Sequence, residues 1–139
     1  MDVLFRSYRR LATVQARILI VDDEEDITSI LKMGLEQAGF EVRAENEPLK
    51  VLQYFKPGMY DMVLLDVRMP DIDGFALYEK MREVDRRMKV CFLTAFDIAY
   101  LDLFKEKFPF LPDKCYIKKP VTVRNLVQMI KSELNIVAF

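Results

Sequence analysis

Residues 18–26 read Ile-Leu-Ile-Val-Asp-Asp-Glu-Glu-Asp, four apolar positions followed without a break by five acids. A short continuous apolar run suits a strand covered on both faces, since an exposed face would show alternation with polar residues. Met62 to Leu65 and Val90 to Leu93 have the same character, so three central strands are expected. Between the first two runs, Ile27, Ile30, Leu31, Leu35 and Ala38 recur at helical spacing and stop at Gly39, a residue suited to ending a helix. A second helix is expected from Pro48, with Leu49, Leu52 and Phe55 as its apolar face and Pro57-Gly58 as its stop. A third follows Gly74 through Leu77, Tyr78, Met81 and Val84, and the last carries Val123, Leu126, Val127, Ile130 and Leu134.

Phe40, Val42 and Ala44 alternate with Glu41, Arg43 and Glu45, the pattern of an edge strand with one wetter face. Strands alternating with helices call for a parallel sheet covered on both sides, and right-handed crossovers leave few ways to wind it. The expected fold is α/β, a doubly wound five-stranded parallel sheet in the order 2-1-3-4-5. The first and third strands then lie side by side where the winding reverses, and ligands bind beyond strand C-termini at such a point. Chemistry is expected after Val21 and Leu65, and acids stand at both places.

Composition removes several alternatives. A length of 139 residues suits one domain. The chain has no histidine, which excludes histidine nucleophiles, bases and metal ligands. A net charge of −1 gives no drive toward nucleic acid. Cys91 and Cys115 lie in apolar surroundings without CxxC spacing, as buried reduced thiols of a cytoplasmic protein would. The first residues carry Arg6, Arg9 and Arg10 with no continuous hydrophobic region, and no stretch is long and apolar enough to span a membrane. Leu4, Tyr8, Leu11 and Val14 could line a short amphipathic helix, but one of that length is marginal alone. Residues 1–16 are expected to be a frayed or short-helical extension, residues 17–135 the folded domain and 136–139 a tail.

Helix capping accounts for about two of the acids in Asp22-Asp23-Glu24-Glu25-Asp26. Capping does not require all five. The expected topology brings Asp22, Asp23 and Asp66 to one sheet edge, where three like charges repel and a divalent cation would relieve them. Hard oxygen ligands without Cys or His favour magnesium, manganese or calcium, and a site with few protein ligands favours magnesium.

Four segments, Ile18-Leu-Ile-Val-Asp-Asp-Glu24, Leu64-Leu-Asp-Val-Arg-Met-Pro-Asp-Ile-Asp-Gly74, Leu93-Thr-Ala95 and Tyr116-Ile-Lys-Lys-Pro120, resemble in order the signature of response regulator receiver domains. Each alone is weak; together, at four successive strand ends, they are specific. The resemblance implies a flavodoxin-like fold and a phosphorylation-activated switch rather than an enzyme on outside substrates. It implies Asp66 as phosphoacceptor, Mg2+ held by Asp22, Asp23, Asp66 and the backbone carbonyl of Arg68, and Lys119, before a typically cis proline, as the second positive charge. Thr94 and Tyr116 take the family's switch positions, Thr94 bonding a phosphoryl oxygen and Tyr116 turning inward. Lys118 is one position early and is read as a surface lysine. Asp73 is read as a helix cap, and Pro70, Asp71 and Gly74 as turn residues.

The implied partners are a sensor histidine kinase or phosphotransfer protein and a downstream protein at the surface of the fourth helix, fifth strand and fifth helix. The chain would be a monomer or a phosphorylation-dependent dimer, with no direct contact to nucleic acid or membrane. Arg68 and Phe96 occupy positions that tune phosphoryl lifetime in the family, and their charge and bulk lead us to expect slow self-dephosphorylation. Phe96, Tyr100, Phe104 and Phe108 recur every four residues, an aromatic stripe expected mainly as core. Two rival functions fit these residues less well. A haloacid-dehalogenase-type phosphotransferase needs a second aspartate where Arg68 stands, and a phosphorylation-independent interaction module would have no use for intact Asp66, Thr94 and Lys119.

Overall fold

A computed structural model describes residues 15–95 and 101–136, apart from the side chains of 101, 103 and 104. The strands are β1 (Arg17–Val21), β2 (Glu41–Glu45), β3 (Met62–Asp66), β4 (Lys89–Thr94) and β5 (Tyr116–Lys118). The helices are α1 (Glu25–Gln37), α2 (Pro48–Tyr54), α3 (Gly74–Val84), α4 (Leu101–Lys107) and α5 (Val123–Glu133). All strand pairs are parallel and the order is β2-β1-β3-β4-β5. The doubly wound sheet expected from the apolar runs is therefore present, with β2 at one edge.

Side chains on successive strand positions go to opposite faces, and this divides the core in two. Ile18, Ile20, Met62, Leu64, Cys91 and Leu93 pack with Leu31 and Leu35 of α1 and Leu126 and Ile130 of α5. Leu19, Val21, Val63, Leu65, Val90 and Phe92 pack with Val51 of α2 and Leu77, Tyr78 and Met81 of α3. Every residue of β3 is buried, so Asp66 is carried at the end of the best-covered strand in the sheet.

Helix ends follow from local chemistry. Gly39 adopts φ 98°, and the amides of Gly39 and Phe40 donate to the carbonyls of Glu36 and Leu35 at 3.0 and 3.1 Å. These bonds close a Schellman motif that satisfies carbonyls left over at the end of α1. Asp73 caps α3, its carboxylate accepting from the Ala76 amide at 2.8 Å, and Thr122 does the same for α5 through the Asn125 amide.

Four residues placed on apolar faces by spacing are solvent-exposed. On α1 the buried line is Thr28, Leu31 and Leu35, a narrow stripe that leaves Ile30 66% exposed. On α2, only seven residues long, Pro48 and Val51 are the buried positions, with Phe55 buried just beyond its end; Leu49 and Leu52 lie round the helix from them and are exposed. Val84, in the last turn of α3, is exposed as well. Val51, at the centre of the α2 contact, was not part of the expected face. The expected segment through Leu4, Tyr8, Leu11 and Val14 lies outside the described residues, as do Phe96, Tyr100 and the side chain of Phe104. Phe108 follows α4 and is buried in the aromatic core.

Candidate functional site

β1 and β3 are neighbours, with Val21 in register with Leu65, so the residues that follow them meet beyond the sheet. One carboxylate oxygen from each of Asp22, Asp23 and Asp66 lies within 4.8 Å of the others. Asp22 is 1% exposed and Asp66 6%, while Asp23 faces solvent. Asp66 also borders an open pocket of about 370 Å³ with Glu24, Arg68, Thr94, Ala95 and Lys119.

The two buried acids are held differently. Asp22 accepts from the Glu24 amide at 2.9 Å through Oδ1 and from the Lys119 ammonium at 2.6 Å through Oδ2. Asp66 has Lys119 Nζ at 3.3 Å from Oδ1. Burial, and next the negative charge of Asp22, push the Asp66 carboxyl up to about 6, although Lys119 opposes this. Burial works against the Lys119 ammonium, but its bond to Asp22 and the charges of Asp66 and Asp22 outweigh it and hold its pKa above the ordinary value. One cation thus serves two acids, and a third acid stands alongside.

The scaffold fixes this arrangement through the backbone. The Lys119 amide donates to the Thr94 carbonyl at 2.8 Å, and the Lys119–Pro120 bond is cis. Gly74 returns over the strand end, its amide donating to the Val67 carbonyl at 2.9 Å. A Cβ there would stand 2.2 Å from the backbone oxygen of Asp66, so this position must be glycine for the loop to close. Asp71, with φ 73°, gives the same loop its left-handed residue, a position that Asp tolerates better than most.

Thr94 ends β4 and is buried. Tyr116 lies two register steps back along the β4–β5 ladder, opposite Phe92. Its ring is stacked on Phe92 at 5.7 Å and its hydroxyl donates to the Phe108 carbonyl at 3.4 Å. The residue is buried, and burial pushes the phenol up to about 12. Lys118 is exposed, in keeping with a surface lysine. Sequence reasoning missed Asn46, whose amide nitrogen donates at 2.9 Å to both the Asp22 carbonyl and the Thr28 hydroxyl. The only signal was a polar residue just past the strand next to β1. Glu24 also lines the pocket, and in the sequence nothing distinguishes it from the other acids of its run.

The family model for the response regulator receiver domain matches residues 18–131. The chain belongs to that family. Among relatives, this receiver domain is 30% identical over 118 residues to the transcriptional regulatory protein TrcR of Mycobacterium tuberculosis, a match covering 85% of this chain and 45% of that protein. It is 28% identical over 118 residues to the response regulator receiver protein CpdR of Brucella abortus, covering 85% of this chain and 96% of that one. The chain thus spans about half the length of TrcR and nearly all of CpdR. A CheY-like response regulator receiver domain protein from Methanospirillum hungatei superposes with a TM-score of 0.73 at 30% identity, covering 86% of this chain and 93% of that structure.

Proposed function

We propose that this receiver domain is a phosphorylation-activated signalling switch whose Asp66 accepts a phosphoryl group from a histidine kinase or phosphotransfer protein. The observation that carries the reading is the gathering of Asp22, Asp23 and Asp66 within 4.8 Å, with a single ammonium shared between Asp22 and Asp66. Like charges at this separation are costly without more positive charge. The donor set, carboxylates without thiolate or imidazole, fits a hard divalent cation, and Mg2+ suits a site with few protein ligands. Asp22, Asp23, Asp66 and the backbone carbonyl of Arg68 would hold it. When bound, the cation supplies charge neutralisation between the acceptor carboxylate and the phosphoryl oxygens.

Asp66 attacks phosphorus with a carboxylate oxygen; the bond from phosphorus to the donor breaks and its electron pair leaves with the donor. Asp22, fixed by Lys119 and the Glu24 amide, acts as the positioning acid. Lys119 offsets phosphoryl charge, and Thr94, on the same pocket wall, donates its hydroxyl to a phosphoryl oxygen. Tyr116 reports the change through its packing on Phe92 and its bond to Phe108. The surface of α4, β5 and α5 then meets a downstream protein, as a monomer or a dimer formed on phosphorylation. Arg68 at the pocket and Phe96 slow the hydrolysis of the phosphoryl group. Two free, buried thiols fit a cytoplasmic location.

The test is intact mass after incubation with acetyl phosphate, with and without Mg2+. One Mg2+-dependent phosphoryl adduct is expected. No adduct, with Mg2+ shown to bind, would favour a phosphorylation-independent interaction module.

A further inference from the structure

At the opposite edge of the sheet, where the strands begin, lies a second pocket of about 580 Å³, within the range of small-molecule sites. It is bordered by the turn from α3 into β4, the segment before β3, the start of β1 and the end of α5. The turn puts three cations, Arg86, Arg87 and Lys89, into four consecutive positions on its wall. All three are exposed. Their side chains make no hydrogen bond or ion pair among the described residues.

The acids at the same pocket are already committed. Asp85, 8% exposed, accepts from the Gly58 amide through Oδ2 and the Arg87 amide through Oδ1, both at 2.9 Å. Asp61 accepts from the Arg17 amide at 2.8 Å and lies 3.8 Å from the Arg17 guanidinium. Glu133 is paired with Lys114 at 3.0 Å. Asp61 and Glu133 each face a cationic partner, and the charge of Asp85, whose lone pairs are taken up by backbone amides, is outnumbered by Arg86, Arg87 and Lys89, so the pocket keeps a net positive potential. The turn that carries them is held in place. Asp85 ties it to Gly58, the Lys89 amide donates to the Asp61 carbonyl at 3.0 Å, and Met88 is buried beneath it. Neighbouring guanidinium groups suit phosphate oxygens, which accept parallel N–H bonds from each. Val84 and Leu134 add apolar wall.

We propose that this pocket binds a small phosphate-bearing ligand of about mononucleotide size, at the opposite end of β3 from Asp66. The reading is independent of the phosphoacceptor chemistry. It is tested by amide NMR titration of the full chain with inorganic pyrophosphate and with ADP, in EDTA so that no divalent ion bridges a probe to the acidic site. Expected are saturable shifts at the Gly58, Arg87 and Lys89 amides, and an affinity about tenfold weaker or worse in Arg86→Ala/Arg87→Ala/Lys89→Ala. Lys80→Ala, an exposed cation on α3 away from the pocket lining, should leave affinity unchanged. Since the three side chains are exposed and make no hydrogen bond or ion pair among the described residues, the triple variant should keep the native spectrum elsewhere. The proposal is overturned if neither probe shifts these amides, if shifts fall only at Thr94 and Lys119, or if Lys80→Ala weakens binding as much as the triple variant.

Discussion

Asp66 and Asp85 are both buried aspartates at the ends of secondary elements, 6% and 8% exposed, yet they are held in opposite ways. Asp85 has two backbone amides, one on each oxygen, the arrangement of a carboxylate whose work is to hold a turn. Asp66 has no backbone donor among the described residues. It has one shared ammonium, two acidic neighbours and an open pocket. A buried carboxylate left this short of donors is unfavourable for the fold by itself, the contrast expected between the proposed phosphoacceptor and a structural acid.

Exchanging the two acids for neutral residues should separate these roles most sharply. Asp66→Asn is expected to abolish the phosphoryl adduct, and Asp85→Ala to leave it, both read by intact mass. Next in size, Lys119→Met should slow phosphorylation by acetyl phosphate by about a hundredfold, as loss of one preorganised charge donor does, without abolishing the adduct.

Stability should move in opposite directions. Asp85→Ala leaves two amides unpaired and should cost about 2–4 kcal/mol in denaturant melts. Asp66→Asn should instead stabilise the metal-free protein at pH 7.5, by about 1–3 kcal/mol. The Asp66 carboxyl titrates at about 6 in the fold against an ordinary 3.8. Between those values the folded state binds the additional proton, so stability falls as pH rises through the window and the full penalty stands above it. The gain from Asn should therefore shrink toward pH 4. A gain independent of pH would mean that the Asp66 charge is not the cause.

Gly74→Ala tests the close approach over Asp66. With a Cβ 2.2 Å from a backbone oxygen the loop must shift, at a cost of about 1–3 kcal/mol, and Mg2+ affinity measured by calorimetry should fall. Asn46→Ala, which removes the brace on the Asp22 carbonyl, should cost about 1 kcal/mol and reduce Mg2+ affinity less than Gly74→Ala does.

The strand order and the meeting of Asp22, Asp23 and Asp66 were legible because unbroken apolar runs such as Ile18–Val21 determine which strands are central, and topology then brings their ends together. Lys119 was legible through its place in a motif, since nothing in its own spacing distinguishes it from Lys118. Which apolar residues face outward was not legible. Ile30 and Leu31 are equally hydrophobic, and only the position of α1 on the sheet decides between them. Asn46 and Asp85 were hidden for a related reason: each bonds a backbone group distant in sequence, the Asp22 carbonyl for Asn46 and the Gly58 amide for Asp85, and a sequence pattern records side-chain types rather than unpaired backbone groups. The cationic pocket escaped because Arg86, Arg87 and Lys89 form no patch until Asp61, Asp85 and Glu133 are seen to be engaged.

The central claim is that Asp66, alone among the clustered acids, is the nucleophile. Its most direct test is to phosphorylate the chain with acetyl phosphate and Mg2+, reduce the product with borohydride, which converts an aspartyl phosphate to homoserine, and map the modified residue by peptide mass spectrometry. Homoserine at position 66 and nowhere else is predicted. Homoserine at 22 or 23, or a phosphoryl group on a hydroxyl side chain, would contradict the account.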